Sequence, residues 1–381
     1  MSFIENFESL IEKSNNNISN ITLDDGITLY NHDSNFKLLS SKKLIDGNYS
    51  FADYWFDINK SDVLYGLIND KNGTLIHCYI NDSFIIKNSI LKYDSNKITI
   101  KFPYIKNING ITHIIYFEVH KGDEYYCNLI HYYKKNSKWF KCEIDSLNYV
   151  ILTNFVAIFN SSNPIIFYLK IVNGSEEVFF STFDLITNTW STPFQITITN
   201  KEKVYLSVIK SSNNFYNIIY SENNLTSYYC TYINGYVDNN IFIPNIPITI
   251  SNAIPCVFPH LIEHKNNLYA QWLVSHDLYT SISNDFGKTW SKEVLFEDIS
   301  DVSFSCYNFK SNNFTNDIYN LSNIFSYENS LEMLGIEDIS DSDNNTNSKY
   351  DYEDEYDKSF NSNEIYFSGM KANAASNIKN K

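Results

Sequence analysis

Two carboxylates a few ångströms apart can cleave a glycosidic bond, one as acid and the other as base or nucleophile. Acids that flank apolar strands are therefore the first residues to weigh. Asp53, Glu118, Asp123, Glu222 and Asp277 hold such positions, and His276 adjoins Asp277. Glu118 follows the run Ile114-Ile115-Tyr116-Phe117, which reads as a strand. Asp53, Glu118 and Asp277 are the candidate catalytic acids, and the plainer reading of each is a loop charge. Aromatic side chains offer a second chemistry, stacking on sugar faces at little entropic cost. Tyr54, Trp55, Trp272 and His276 are the candidate ligand-binding residues, against the plainer reading of packing within a sheet.

Other chemistries lack their residues. There is no G-x-S-x-G elbow, no phosphate-cradling glycine loop and no EF-hand spacing. The six cysteines, Cys78, Cys127, Cys142, Cys230, Cys256 and Cys306, form no C-x-x-C pair and read as buried free thiols. No metal site and no cofactor is expected.

The elements that must position these residues are strands. Aromatics make up 16% of 381 residues, with 30 Tyr and 27 Phe, and helical stripes are few. A hairpin closed by an aromatic recurs with tips at Tyr30–Phe36, Tyr79–Phe84, Tyr133–Trp139, Phe183–Trp190, Tyr232–Tyr236 and Ile282–Trp290. Between tips come an apolar run, an Asn/Ser/Gly/Lys turn and a second apolar run, and only the first tip has no such pair before it. The segments Phe102-Pro103-Tyr104-Ile105 and Phe258-Pro259-His260-Leu261 match at a distance of 156 residues, or three units. Four short strands per unit of about fifty residues fit a propeller blade. The expected fold is all-β, a six-bladed β-propeller over residues 21–327. Its N-terminal hairpin (21–43) and its last apolar runs (302–310 and 317–325) share one blade, which leaves no free edge. Phe3, Phe7, Leu10 and Ile11 stand at helical spacing, so residues 1–20 are expected to hold a short amphipathic helix. Residues 328–381 form an acidic, low-complexity tail that is expected to be disordered.

The last tip reads Ser283-Asn284-Asp285-Phe286-Gly287-Lys288-Thr289-Trp290, or S-x-D-x-G-x-T-W. Asp285 can accept hydrogen bonds from the turn's amides, Gly287 can take a positive φ, Thr289 resumes the strand and Trp290 folds onto the sheet. Phe183–Trp190 is an eroded copy without the glycine. This pattern resembles the Asp-box, the bacterial neuraminidase repeat of sialidase-like propellers. In that family the box (here Ser283, Asp285, Gly287, Thr289 and Trp290) fastens the fold on the face away from the active site. The active site itself holds a sialic acid carboxylate with three arginines, attacks with a tyrosine assisted by a glutamate, and uses an aspartate as acid/base. All 29 basic residues here are lysine, and Val257 stands where the family's Arg-Ile-Pro segment has its arginine. Lysine cannot reproduce the bidentate grip of a guanidinium. The resemblance thus covers the fold and not the sialidase site.

Net charge is −15, of which residues 331–360 contribute −8. A chain so acidic is no nucleic-acid binder, and no stretch is apolar enough to span a bilayer. The acidic tail is a candidate docking segment, with a solvating tail as the plainer reading. The first residues lack a secretory pattern, which implies a cytoplasmic protein, with a spore-coat or cell-surface role as the alternative. The Asn, Ile, Lys and Tyr bias suggests a bacterial genome of low GC content. The sequence therefore points to a non-catalytic propeller that binds a glycan or a protein. An atypical glycoside hydrolase on the same scaffold is the rival reading.

Overall fold

The computed structural model describes residues 7–336, apart from 82–83, 124, 253, 276, 297–303, 314–319, 322 and 328–332. His276 and nearly all of the acidic tail lie outside the described residues.

Antiparallel sheets follow one another along the chain. Sheet I contains β1 (Phe7–Glu12), β2 (Ile18–Leu23), β3 (Gly26–His32) and β4 (Leu38–Asp46). Sheet II contains β5 (Tyr54–Ile58), β6 (Leu64–Asn69), β7 (Thr74–Asn81) and β8 (Phe84–Lys92). Sheet III contains β9 (Ile98–Ile108), β10 (Ile111–His120), β11 (Tyr126–Lys135) and β12 (Lys138–Asn148). Sheet IV contains β13 (Val156–Asn160), β14 (Asn163–Val172), β15 (Ser175–Asp184), β16 (Thr189–Trp190) and β17 (Phe194–Gln195). Sheet V contains β18 (Lys203–Lys210), β19 (Tyr216–Asn223), β20 (Tyr228–Asp238), β21 (Ile241–Pro244) and β22 (Ile248–Thr249). Sheet VI contains β23 (Val257–His264), β24 (Asn267–Val274), β25 (Asp277–Ser283) and β26 (Val294–Phe296). Last come β27 (Phe304–Ser311), β28 (Asn320–Leu321) and β29 (Asn323–Tyr327). The fold is a six-bladed β-propeller, in which the first strands of neighbouring sheets converge around the axis.

The ends of the chain share one sheet, in the order β29-β27-β1-β2-β3-β4. The join differs in detail from the sequence expectation. The N-terminal segment is a strand and not a helix: β1 runs antiparallel to β2 and parallel to β27, with Leu10 opposite Phe309. Leu10 packs with Tyr307, Phe309 and Ile324, while Ile11 packs with Ile21, Leu29 and Phe56 on the other face. A strand buried on both faces has apolar neighbours in sequence, and Phe7, Leu10 and Ile11 mimic a helical stripe for that reason. Sheet I therefore has four strands of its own, and the hairpin β27/β29 fills the seam between sheets VI and I. Packing continues past residue 327. Leu334 is buried, its amide donates to the Phe325 carbonyl at 2.9 Å, and its carbonyl accepts from Gln271 at 2.6 Å.

Seven apolar clusters among the described residues follow this ring, two of them around the β27/β29 hairpin. Large aromatics such as Trp272, Tyr168 and Phe180 are wholly buried there, each worth about 2–3 kcal/mol of transfer free energy. Asparagine supplies the turns. Asn16, Asn109, Asn136, Asn173, Asn214 and Asn266 all adopt positive φ, which Asn tolerates better than most residues. The tip expected at Tyr232–Tyr236 lies further on, at Asn239-Asn240 with φ of 48° and 64°, because β20 runs to Asp238.

The two matched Phe-Pro segments are equivalent distortions. Phe102 and Phe258 have φ of 50° and 51°, and the pairing register of β9 and β23 slips at each. Tyr205 repeats this in β18 with φ of 57°. Bulky residues are rare in the left-handed region, and such bulges re-aim side chains. Tyr205 and Phe258 meet across the seam at 4.5 Å, and Phe102 lies 5.8 Å from Phe51.

The turn at 283–290 is a hydrogen-bonded knot. Asp285 Oδ1 accepts from Ser283 Oγ at 2.8 Å, Lys288 N at 3.0 Å and Thr289 N at 2.9 Å, and Oδ2 accepts from Thr289 Oγ1 at 2.6 Å. These donors hold the Asp285 carboxyl down to about 2. Gly287 has φ of 84°, and a Cβ there would sit 1.8 Å from Tyr232 Oη. The same strand tie closes both copies: Ser291 Oγ accepts from Ile282 N at 3.0 Å, and Ser191 Oγ accepts from Thr182 N at 3.0 Å. In the eroded copy the positive φ falls one place later, at Asn188 with φ of 57°.

All six cysteines are free, and Cys142 alone is half-buried rather than buried. Among the described residues no helix is long and apolar enough to cross a membrane.

Candidate functional site

Asp53 closes a short 3-10 turn (Phe51–Asp53) and is wholly buried. Its carboxylate accepts from Lys101 at 2.7 Å and pairs with Lys71 at 3.0 Å and Ser50 N at 2.9 Å. Burial alone would raise its pKa, but Lys101 and Lys71 outweigh that and hold it below the usual range. It is an anchor between sheets II and III. Glu118 in β10 pairs with Lys141 of β12 at 2.9 Å. Asp277 opens β25. These three acids stand in three different sheets. Asp123 is an exposed turn residue, and Glu222 belongs to a buried cluster. In that cluster the inaccessible Lys203 ammonium lies 2.9 Å from Glu177 and 3.5 Å from Glu222, which also pairs with the part-exposed Lys201 at 3.4 Å.

Of the aromatic candidates, Tyr54 is 5% exposed and packs on Phe56 at 6.1 Å. Trp272 is 0% exposed and stacks on Tyr279 at 6.2 Å. Neither offers a ring face to solvent. Trp55 is more accessible: it is half-buried in β5, with Tyr104 of β9 at 4.9 Å. Tyr104 in turn stacks on Phe159 at 6.4 Å and is itself half-buried.

Around this aromatic shelf the first strands bring together charges that spacing did not reveal. Lys310 of β27 places its ammonium 5.4 Å above the Trp55 ring centroid. Lys106 of β9 donates to Asp57 Oδ2 of β5 at 2.7 Å, and Tyr65 Oη donates to the same oxygen at 3.1 Å. Asp57 is 2% exposed and Oδ1 accepts from Ile58 N, so this carboxylate is fully engaged. Lys310 has no hydrogen-bond acceptor or ion-pair partner among the described residues. Burial pushes its amine down to about 8; Asp57 opposes this and Lys106 adds to it. The Trp55 indole N–H and the Asn308 side-chain carbonyl also lack protein partners among the described residues. Asn308 and Lys310 are two apart in β27 and so share a face.

The cluster thus holds two half-buried aromatic rings, one cation without an ion-pair partner, and a buried donor and acceptor that lack protein partners among the described residues. Its single carboxylate is already neutralised by lysine. Asp57, Lys106 and Lys310 lie near the strand ends that lead into the first turns, at the same end as the 283–290 knot and so not on the face that the resemblance implied for a site. Among the described residues no three His, Cys, Asp or Glu side chains group as metal ligands. Trp55 was legible as a solitary aromatic, whereas Lys310 arrives from the other end of the chain and no local pattern marks it.

No family model matches this chain. No curated protein matches it in sequence either. Solved structures share its fold. One is an ulvan lyase, a polysaccharide lyase bound to -[GlcA(1-4)Rha3S]-, at TM-score 0.57 and 9% identity, covering 86% of this chain and 93% of that one. Another is the polysaccharide lyase Uly1, at TM-score 0.50 and 10% identity, covering 80% and 84%. A third is another structure of an ulvan lyase, at TM-score 0.55 and 10% identity, covering 84% and 89%. At these identities the likeness is one of fold.

Proposed function

We propose that this chain is a non-catalytic propeller of the Asp-box type that binds a glycan at its axis, with an acidic substituent of the ligand meeting Lys310. The observation that carries this reading is the shelf of Trp55 and Tyr104 beneath an unpaired ammonium, with one carboxylate that is already spoken for. Hydrolysis by two carboxylates needs a second acid facing the first across the scissile bond. Stacking on Trp55 with a charge-assisted contact to Lys310 needs nothing further. The knot at Ser283, Asp285, Gly287, Thr289 and Trp290 supports the Asp-box assignment, through the bonds its pattern calls for. The two polysaccharide lyases of similar fold add weight to a carbohydrate ligand.

An array of acidic and neutral oligosaccharides tests the proposal. Wild-type protein should capture at least one acidic oligosaccharide, and Trp55→Ala should weaken that capture at least tenfold, about 1.4 kcal/mol. The same oligosaccharide should remain uncleaved by wild-type protein. Turnover, or capture unaffected by Trp55→Ala, would refute the reading.

A further inference from the structure

The turns from first to second strand are tied to a neighbouring sheet at three seams of the ring. Ser14 N donates to Asp62 Oδ1 at 3.0 Å, between sheets I and II. Asn109 Nδ2 donates to Ser162 Oγ at 2.8 Å, between sheets III and IV. Ser212 Oγ donates to Glu263 Oε1 at 2.7 Å, between sheets V and VI. Between sheets IV and V no hydrogen bond joins 160–163 to 211–214 among the described residues. A cleft of about 350 Å³ opens there instead.

Its lining is unusual in chemistry. Asn160, Asn163, Asn214 and Asn240 bring side-chain amides to it, Lys210 brings an ammonium, and no carboxylate lines it. Phe183 and Tyr216 supply aromatic walls, and the Lys210 ammonium stands 5.7 Å over the Tyr216 ring. The outer end is closed by Thr182 Oγ1 donating to Asn240 Oδ1 at 2.9 Å, which leaves the Asn240 amide nitrogen free to donate. Asn163 Oδ1 is likewise engaged, by Leu185 N at 3.2 Å. Asn160 and Asn214 are exposed and have both ends of their amides available.

We propose that this cleft is a second carbohydrate site, separate from the axial one, that takes a small saccharide ring. A planar amide carries a donor and an acceptor side by side, the arrangement that meets two neighbouring hydroxyls of a sugar. The volume lies at the small end of ligand pockets and suits one or two rings. The absence of a carboxylate from the lining excludes the two-acid hydrolysis of a bound glycoside and favours retention of the ligand. The proposal rests on the glycan-binding reading but uses none of the axial residues.

Saturation-transfer NMR with methyl glycosides of glucose, galactose, mannose, fucose, N-acetylglucosamine and glucuronic acid is the test. Asn214→Gly and Asn240→Gly keep the left-handed turns while removing the amides, and Lys210→Met keeps the aliphatic stem; melting curves verify that each variant folds. Wild-type protein should transfer saturation to at least one of these glycosides, and the variants should weaken that binding at least tenfold. A preference for the glucuronide that Lys210→Met abolishes would identify the lysine as the acid contact. Binding that survives all three substitutions would overturn the cleft and leave the axial site standing. No transfer to any glycoside would also overturn the cleft, and the array on acidic oligosaccharides would then judge the axial reading by itself.

Discussion

The Lys310 ammonium stands 5.4 Å over the Trp55 ring, with no carboxylate of its own. Burial depresses its pKa from 10.5 to about 8, so the folded protein binds this proton less tightly than the unfolded chain does. Its contribution to stability is therefore full above pH 10.5 and is lost as pH falls from 10.5 through 8. Lys310→Met should raise the melting temperature at pH 7 by roughly 2 °C or more. That advantage should shrink as pH climbs past 8. Equal melting curves at pH 7 would show that the ammonium is solvated.

Asp53 distinguishes an anchor from a catalyst. Asp53→Ala leaves Lys101 and Lys71 facing a buried void. It should destabilise the fold by about 2–3 kcal/mol, below the usual cost of breaking a buried pair because both lysines are partly exposed. Urea unfolding measures this. A fully stable variant would mean that the pair is incidental.

His113 and His131 are wholly buried, with Nδ1 of the first 3.0 Å from Nε2 of the second. Burial pulls His113 down to about 4 and His131 well below its ordinary value, with His113 adding to the effect on His131. The unfolded chain binds these protons first, so stability is full above pH 6.5 and declines as pH falls from 6.5 toward 4. The loss from His113 alone should be roughly 3 kcal/mol. Melting temperatures across that range should fall less steeply in His131→Leu than in wild type.

The 283–290 knot should matter to stability and not to ligand. Asp285→Ala removes the acceptor of four hydrogen bonds and should cost about 1–3 kcal/mol. Gly287→Ala drives a methyl group into Tyr232 and should cost at least as much. Guanidinium unfolding together with oligosaccharide capture would check both halves. The Asp285 contribution, present above pH 3.8, should be lost as pH falls toward 2.

The ring was legible because its antiparallel turns take residues at positive φ, and asparagine marks many of those places. Phe102-Pro103 and Phe258-Pro259 were legible as a repeat, and they prove to be matching bulges. The N-terminal strand was not: Leu10 and Ile11 point to opposite seams, which sequence spacing cannot tell from one helical face. The charges around Trp55 were illegible for a related reason. Asp57, Lys106 and Lys310 look like ordinary strand polar residues until the first strands of separate sheets are brought side by side. The acids that sequence favoured are distributed over sheets II, III and VI, since position beside an apolar run says nothing about which sheets meet.

The most direct test follows the five tryptophan indole N–H signals by NMR during titration with an acidic oligosaccharide, with Trp55→Phe assigning one of them. The Trp55 signal should shift and saturate while that of the buried Trp272 stays in place, and the oligosaccharide should be recovered intact. A Trp55 signal that is unmoved at saturating ligand, or an oligosaccharide found cleaved, would contradict a binding site at the axis.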